Sequence, residues 1–262
     1  MRGRSISLTV LGMTLGFLSS CAAAPLHLPP PPVHADGQVL WHIVNDSCVP
    51  SQLRSGDPSP CTSVSITAGR DRGYVVLKDR VGTGQYLVMP TILVSGIEDP
   101  LLTRPGAPDY FTPAWGARRL VAARFGRALA REDIGIAVNS RYGRSQDLLH
   151  LHVDCLRRDV RDALRRDMTD IGTIWSRRPM ALAAHRYYVI WVDGDETVEA
   201  NPFALLAKRL HVRPADMGAW TILLSGAHFS GKPGFILLAA HADPATSDNG
   251  SAEILLDHDC MR

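Results

Sequence analysis

Two histidines separated by one residue carry the most informative chemistry in this sequence. His150 and His152 lie in the run from Leu148 to Cys155. Side chains alternate between the two faces of a β-strand, so His150, His152 and Asp154 would share one face. The other face would be apolar apart from one thiol. Such a strand packs through one face and presents two imidazoles and a carboxylate, spaced by about 6–7 Å, on the other.

This pattern is compatible with three kinds of site. The histidines and Asp154 could bind a metal ion, but a metal centre needs further ligands, and the sequence contains no other cluster at suitable spacing. The two histidines could also be surface residues without a role. The third interpretation is nucleophilic catalysis by one imidazole with helpers nearby. The residues around the pair favour this third interpretation.

Those surrounding residues resemble the histidine-triad (HIT) superfamily of nucleotide hydrolases and transferases. Its members carry alternating histidines on a strand, with a Gln four residues and an Asn eleven residues before the first histidine. Gln146 and Asn139 stand at these spacings from His150. Asp154 replaces the third histidine of the superfamily pattern, which leaves the role of that position open.

Longer motifs narrow the resemblance to one family, the bacterial CDP-diacylglycerol pyrophosphatases. The motifs cover residues 73–79, 85–90 and 139–157 and the C-terminal stretch 252–260. The likeness extends over about residues 37–262. It implies hydrolysis of CDP-diacylglycerol to CMP and phosphatidate.

The resemblance also implies roles for individual residues. The middle histidine is the nucleophile of the superfamily, which assigns that role to His152, with His150 orienting it and binding phosphate. Attack on the α-phosphorus would give a nucleotidyl-histidine intermediate that water then hydrolyses, and this scheme requires no metal or other cofactor. The predicted substrate-binding residues are Gln146, Asn139, Lys78, Gln85, Arg141 and Arg144. The positively charged side chains among them would bind phosphate oxygens.

Several alternatives remain open at this stage. Gln85 could instead be a turn residue, and Lys78 could be a solvated strand end. The enzyme could act on a soluble nucleotide or transfer a nucleotidyl group, or the protein could be a non-catalytic lipoprotein that binds nucleotides or metals. Five scattered histidines are predicted to be surface or core residues without a role: His185, His211, His228, His241 and His258.

The N-terminus has the pattern of an export signal. Arg2 and Arg4 precede an apolar run, and small residues lead to Cys21. Residues 1–21 therefore predict a signal peptide with a lipidated Cys21; the alternatives are an uncleaved anchor and ordinary secretion. A Pro-rich tether is predicted over residues 22–36. We expect the body to be membrane-anchored on the extracytoplasmic, periplasmic side of a bacterial membrane. Removing residues 1–20 removes two arginines and no acid, so the net charge falls from +2 to 0 and gives no indication of nucleic-acid binding.

Four further cysteines predict two disulfides in an oxidising compartment. Four cysteines allow three pairings. Cys48 and Cys61 flank a loop-like stretch and are the expected local pair, which leaves Cys155 to join Cys260. The alternative for each pair is a free buried thiol.

The pattern of apolar residues predicts an α+β fold with a HIT-like antiparallel sheet. We expect a helix over 37–47, a hairpin over 73–89, a helix over 113–131 capped by Thr112, strands over 134–138 and 148–156, and a helix over 159–170. The second part predicts strands over 187–192, 220–224 and 235–240, a helix over 202–210 capped by Asn201, and a final helix over 251–260. A helix followed by two strands occurs twice, so residues 37–180 and 181–262 are predicted half-repeats of one domain, with the second half degenerate.

Overall fold

The computed structural model describes residues 28–260. The predicted signal peptide, Cys21 and the beginning of the predicted tether lie outside this range. The prolines Pro29–Pro32 precede the first helix and lie outside regular secondary structure. Among the described residues, no helix is both long and apolar enough to cross a membrane.

The fold is α+β. The helices are α1 (Val39–His42), which continues through a π-helical segment (Ile43–Cys48) into α2 (Val49–Ser55), and then α3 (Phe111–Arg124), α4 (Arg158–Arg166) and α5 (Pro202–Arg209). The strands are β1 (Ser63–Ser65), β2 (Tyr74–Lys78), β3 (Tyr86–Pro90), β4 (Ile134–Val138), β5 (Leu151–Leu156), β6 (Met180–Leu182), β7 (His185–Asp193), β8 (Trp220–Phe229), β9 (Lys232–His241) and β10 (Leu256–Asp257).

Within residues 28–260, ten strands form one open antiparallel sheet. Its order is β1-β2-β3-β5-β4-β8-β9-β7-β6, and β10 pairs with the end of β5. The pair β4–β8 lies at the centre of the sheet. Counted outward from this pair, the strands on one side follow the order β4, β5, β3, β2, and those on the other side follow the order β8, β9, β7, β6. The two halves therefore share one strand order, and they also share the chain order of hairpin, helix and two strands. They meet where β4 pairs with β8.

One face of the sheet packs against α3 and α5. Trp115 of α3 and Phe203 of α5 are fully buried there, and the Phe111 and Phe203 rings lie 5.3 Å apart. Alternate residues of β5, including Leu151 and Val153, face this core, as the alternation of the histidine strand predicts. The histidines of β5 therefore face the opposite side of the sheet.

That opposite side is covered by two separate groups of residues. The N-terminal helices pack on β2 and β3 through Val44 and Val49, against Leu87 and Met89. Helix α4 and the C-terminal segment pack nearer the centre of the sheet. Apolar burial of this kind stabilises a fold by roughly 25 cal/mol per Å². The histidine face of β5 lies between the two covers.

The ends of two helices differ from the sequence prediction. Helix α3 begins at Phe111 rather than after Thr112, because the Asp109 side chain accepts hydrogen bonds from the backbone of Phe111 (2.9 Å) and Thr112 (3.1 Å). It ends at Arg124, since Gly126 adopts a left-handed conformation (φ 60°) that stops the helix. Similarly, residues 49–55 are helical rather than loop, up to Gly56. The predicted capping of α5 by Asn201 is confirmed, since its Oδ1 accepts from Phe203 at 2.9 Å.

The predicted final helix over 251–260 is wrong. This segment forms a short 3₁₀ turn at Ala252–Leu255 and then strand β10. Leu255 and Leu256 are both buried, and the backbone of β10 pairs with Leu156 and Cys155 at the end of β5. The backbone groups at the end of β5 need hydrogen-bond partners, and β10 provides them. This pairing outweighs the helical spacing of apolar residues, because a helix of so few residues is only marginally stable.

Both predicted disulfides are confirmed. Cys48 is bonded to Cys61, and Cys155 is bonded to Cys260. The first closes a short loop under the N-terminal helices. The second spans 105 residues and attaches the C-terminus to β5 in the first half of the sheet.

Candidate active site

The two histidines of the strand lie side by side on the covered face. Their ring centroids are 4.8 Å apart, and His150 and His152 are 7% and 6% exposed. His152 is part of β5, whereas His150 lies immediately before it. The sequence therefore predicted both the shared face and the proximity of the rings.

His150 has a defined tautomer. Its Nδ1 lies 2.6 Å from the backbone oxygen of Leu148, which can only accept, so Nδ1 carries the proton. Burial, together with the neighbouring His152 ring, lowers the pKa of His150 to about 4. The ring is therefore neutral near pH 7, with its Nε2 lone pair available.

His152 has polar partners on only one of its two ring nitrogens. Its Nδ1 lies 3.3 Å from Gln85 Nε2, 3.3 Å from Glu253 Oε1 and 4.0 Å from Asp79 Oδ2. Its Nε2 is buried and has no hydrogen-bond partner among residues 28–260. Burial lowers the pKa of His152 to about 4, although the Asp79 carboxylate acts in the opposite direction. A neutral imidazole with an unpaired Nε2 is the state required of a nitrogen nucleophile.

Amides and carboxylates connect the groups around His152. Gln85 donates to Asp79 at 2.6 Å and to Glu253 at 3.1 Å. Asn139 donates through Nδ2 to Glu253 Oε2 at 3.2 Å, and its Oδ1 accepts from the backbone of Glu253, also at 3.2 Å. The amides of Gln85 and Asn139 thus hold the Glu253 carboxylate beside His152, the candidate nucleophile.

Asp154, at the third position of the pattern, faces a different partner. His258 donates to its Oδ2 at 2.9 Å, and the backbone of Cys155 donates to its Oδ1 at 2.8 Å. Burial raises the pKa of Asp154 to about 6, against the effect of the His258 hydrogen bond. Within residues 28–260, the one group of three potential metal ligands that converges is Asp154, Cys155 and Cys260. The two sulfurs of that group form a disulfide, so they are not available as thiolate ligands.

The structure groups some of the predicted site residues around the histidines and pairs others with structural partners. Asn139 and Gln85 belong to the His152 network described above. Gln146 instead accepts from the backbone of Leu40 at 3.0 Å and donates to the backbone of Asp36 at 2.9 Å. In this conformation it fixes the start of the N-terminal helices.

The three predicted cations also have partners within the protein. Arg144 forms a two-pronged ion pair with Glu98 at 2.7 and 2.8 Å. Arg141 donates to the backbone of Ala215 at 3.3 Å. Lys78 donates to backbone oxygens of Asp79 (2.7 Å) and Gly82 (3.0 Å) in the turn after β2. Their binding of substrate stays a prediction.

Three residues of this neighbourhood were missed as site residues in the sequence. Asp79 and Glu253 are the carboxylates nearest His152, and His258 is the partner of Asp154. Asp79 and the C-terminal residues belong to motifs that carried the family resemblance, which was the available signal. Their separation from His152 along the chain, up to about a hundred residues, gives no indication of contact without the fold.

Comparison with known proteins agrees with the resemblance. The family model described as CDP-diacylglycerol pyrophosphatase matches residues 35–262. A CDP-diacylglycerol pyrophosphatase of Yersinia pestis is 39% identical over 227 residues, which cover 87% of this chain and 85% of that protein. A match of this extent includes the histidine strand, the turn after β2 and the C-terminal segment. The chain belongs to the CDP-diacylglycerol pyrophosphatase family.

Proposed function

We propose that this hydrolase cleaves CDP-diacylglycerol to CMP and phosphatidate through a nucleotidyl-histidine intermediate on His152. Membership of the family supports the substrate and the reaction. The observation that carries the covalent mechanism is the buried Nε2 of a neutral His152, which has no hydrogen-bond partner. A lone pair held free in this way is available for attack on phosphorus.

The proposed reaction has two displacements. In the first, His152 Nε2 attacks the α-phosphorus, a P–N bond forms, and the P–O bond to phosphatidate breaks. In the second, water attacks the same phosphorus and releases CMP. Dividing one difficult displacement into two lowers each barrier. His150, whose ring lies 4.8 Å from that of His152, would orient the nucleophile.

The test uses CDP-diacylglycerol in detergent with a chelator present. Wild type should release CMP and phosphatidate, identified by mass, and His152→Ala should release neither. Acid-quenched wild type should carry a CMP-sized adduct on the peptide that contains His152. Release of both products by folded His152→Ala would reject the nucleophile. No turnover by wild type, combined with cleavage of a soluble CDP ester, would move the substrate assignment to soluble nucleotides.

We also infer that the fold is HIT-like and that its two halves are a structural repeat. The equal strand order of the halves supports the repeat, as does the position of α3 and α5 on one face of the sheet. Superposing the Cα atoms of β2–β5 on those of β6–β9 tests the repeat. Failure of α3 to fall on α5 in that superposition would reject it.

We further propose that the chain is exported and anchored by a lipid on Cys21. The basic start, the short apolar run and the cysteine of residues 1–21 support this proposal. Mass analysis of the mature N-terminus, with Cys21→Ala as comparison, tests it. A mature chain that begins upstream of Cys21, or at an unmodified residue after it, would exclude lipid anchoring at this cysteine.

A further inference from the structure

The C-terminal residues 251–260, here called the C-terminal strap, return from the second half of the sheet to the histidine site. Strand β10 of the strap pairs with β5, and Cys260 is bonded to Cys155. At the other end of the strap, the backbone of Ala252 donates to Thr221 of β8 at 2.9 Å. Between these attachments the strap places the Glu253 carboxylate beside His152.

The contacts of Glu253 select one tautomer of His152. The two N–H groups of the Gln85 amide have carboxylate acceptors, Asp79 at 2.6 Å and Glu253 at 3.1 Å. Carboxylates accept more strongly than a ring nitrogen, so Gln85 is not needed as a donor to His152. Glu253 Oε1 is itself 3.3 Å from His152 Nδ1 and can only accept when ionised. With the Gln85 amide serving the two carboxylates, a proton on His152 Nδ1 can be donated to Glu253, which leaves the Nε2 lone pair free.

Glu253 is better placed for this role than Asp79. Asp79 Oδ2 is 4.0 Å from Nδ1 and already accepts from Gln85 at 2.6 Å. Glu253, in contrast, is fixed from both sides by Asn139, which donates to Oε2 and accepts from the backbone nitrogen, each at 3.2 Å. Asn139 therefore supports the carboxylate that contacts the nucleophile, in addition to any contact with substrate.

We propose that Glu253 is a positioning residue that keeps His152 in its Nδ1–H tautomer and stabilises the positive charge that the ring acquires during attack. This inference rests on the proposed covalent mechanism. When Nε2 bonds to phosphorus, the electron pair of the broken P–O bond leaves with phosphatidate, and the ring keeps its Nδ1 proton and becomes cationic. Attack by water then breaks the P–N bond, returns the electron pair to Nε2 and releases one proton to solvent. A carboxylate beside Nδ1 stabilises the cationic ring in both displacements.

The kinetic test compares Glu253→Gln with wild type on CDP-diacylglycerol. Glutamine keeps the size of the side chain and removes the charge. We expect kcat to fall by about 10²–10⁴-fold with little change in KM, as for loss of the orienting carboxylate beside other catalytic histidines. Glu253→Asp, which restores the charge, should recover at least about tenfold of that loss.

A matched control is available elsewhere in the sheet. Glu132 Oε1 lies 2.6 Å from Nδ1 of His228, outside the site, so Glu132→Gln removes the same kind of carboxylate–imidazole contact. This control should retain the kcat of wild type. A kcat for Glu253→Gln equal to that of the control would overturn the proposal.

The tautomer itself provides a readout that a merely structural role would not change. In protein labelled with ¹⁵N-histidine, long-range ¹H–¹⁵N correlations identify which nitrogen of His152 carries the proton, and His152→Ala assigns the signal. Wild type should show Nδ1–H, and Glu253→Gln should shift the population towards Nε2–H. An Nε2–H ring in wild type would overturn the proposal. Activity in folded His152→Ala would instead show that the covalent mechanism, on which the proposal depends, is wrong.

Discussion

The two halves of the sheet share their strand order but differ in what their inner strands carry. In the first half, β5 presents His152 and Asp154 to the covered face, and both are buried polar residues. In the second half, β9 contributes an uninterrupted apolar run from Phe235 to Ala240, each residue at most 4% exposed. His241, at the end of β9, is exposed and packs against the Trp220 ring at 5.3 Å.

The difference shows which features turn this scaffold into a candidate catalytic site. The strands and one helix are common to both halves. The site on the first half also uses the turn after β2, which supplies Asp79, and the C-terminal strap, which supplies Glu253. Buried polar groups are costly unless they are paired. The site therefore needs segments that bring charged partners to the sheet, and one of them, the strap, comes from the second half of the chain.

The largest expected effect of a substitution follows directly from this comparison. We predict that His152→Ala lowers kcat/KM for CDP-diacylglycerol by about 10⁴-fold or more, since the nucleophile is lost. His150→Ala should cause a smaller but severe loss of about 10²–10³-fold, because a neighbouring group is lost while the nucleophile remains. His241→Ala in the second half should leave turnover unchanged. Steady-state assays on the three folded variants check the order.

An equal loss of kcat/KM in His241→Ala and His150→Ala would contradict the assignment of the catalytic residues to the first half. Circular dichroism of each variant serves as the folding control. A loss in His150→Ala that matches His152→Ala would indicate that the two rings exchange roles or act as one unit.

Much of the candidate catalytic face of β5 was predictable, because it depends on the alternation of side chains along a single strand. The spacing of His150, His152 and Asp154 placed all three on one face, and the opposite face packs as expected. The cysteine pairing was also predictable, since only one pair flanks a short loop. In contrast, nothing local connects Glu253 with His152. That contact depends on the strap returning across the sheet.

The C-terminal strap is also where the prediction of secondary structure failed. Its residues have an apolar spacing that a helix could use, yet Leu256 and Asp257 pair with β5. A short segment takes its conformation from the tertiary partners available to it, and here the end of β5 offered unpaired backbone groups. Contact of Gln146 with substrate stays a prediction; its amide is bonded here to the backbone of Leu40 and Asp36.

The second prediction compares the two disulfides. Cys155→Ser with Cys260→Ser removes a link across 105 residues and should destabilise the fold by about 4–5 kcal/mol, on the chain-entropy account of loop closure. Removing the Cys48–Cys61 link, with a separation of 13 residues, should cost about 3 kcal/mol. Urea unfolding of the two double variants measures both values.

The two variants that lack a disulfide should differ more in activity than in stability. The Cys155–Cys260 link fixes the strap that carries Glu253, so its loss should also lower kcat under conditions in which the protein remains folded. The Cys48–Cys61 variant is the matched control and should keep the kcat of wild type. Equal activity of the two variants would show that β10 pairing alone positions the strap.

The third prediction concerns the core of the second half. Leu237 of β9 is fully buried, and Leu237→Ala should destabilise the protein by about 2–5 kcal/mol through lost burial and a cavity. Its kcat should remain within about twofold of wild type at a temperature where the variant is folded, because its partners on the neighbouring strands are Ile190 and Leu224, which lie outside the site. Ile174→Ala, at a side chain that is 70% exposed, should change stability by less than about 0.5 kcal/mol. A kcat defect in folded Leu237→Ala would show that the second half influences the chemistry.

The last expected effect concerns the pH dependence of stability, and it too separates the halves. Burial lowers the pKa values of His150 and His152 to about 4, whereas an unfolded histidine titrates near 6.5. The unfolded state therefore binds more protons below pH 6.5, so these rings should make stability fall as pH decreases from about 6.5 to about 4. Melting temperatures of wild type and of His150→Gln with His152→Gln, compared over this range, should show a shallower decrease in the double variant. His241→Gln, at an exposed ring in the second half, is the control variant. An unchanged slope in the double variant would contradict burial of two neutral imidazoles in the first half.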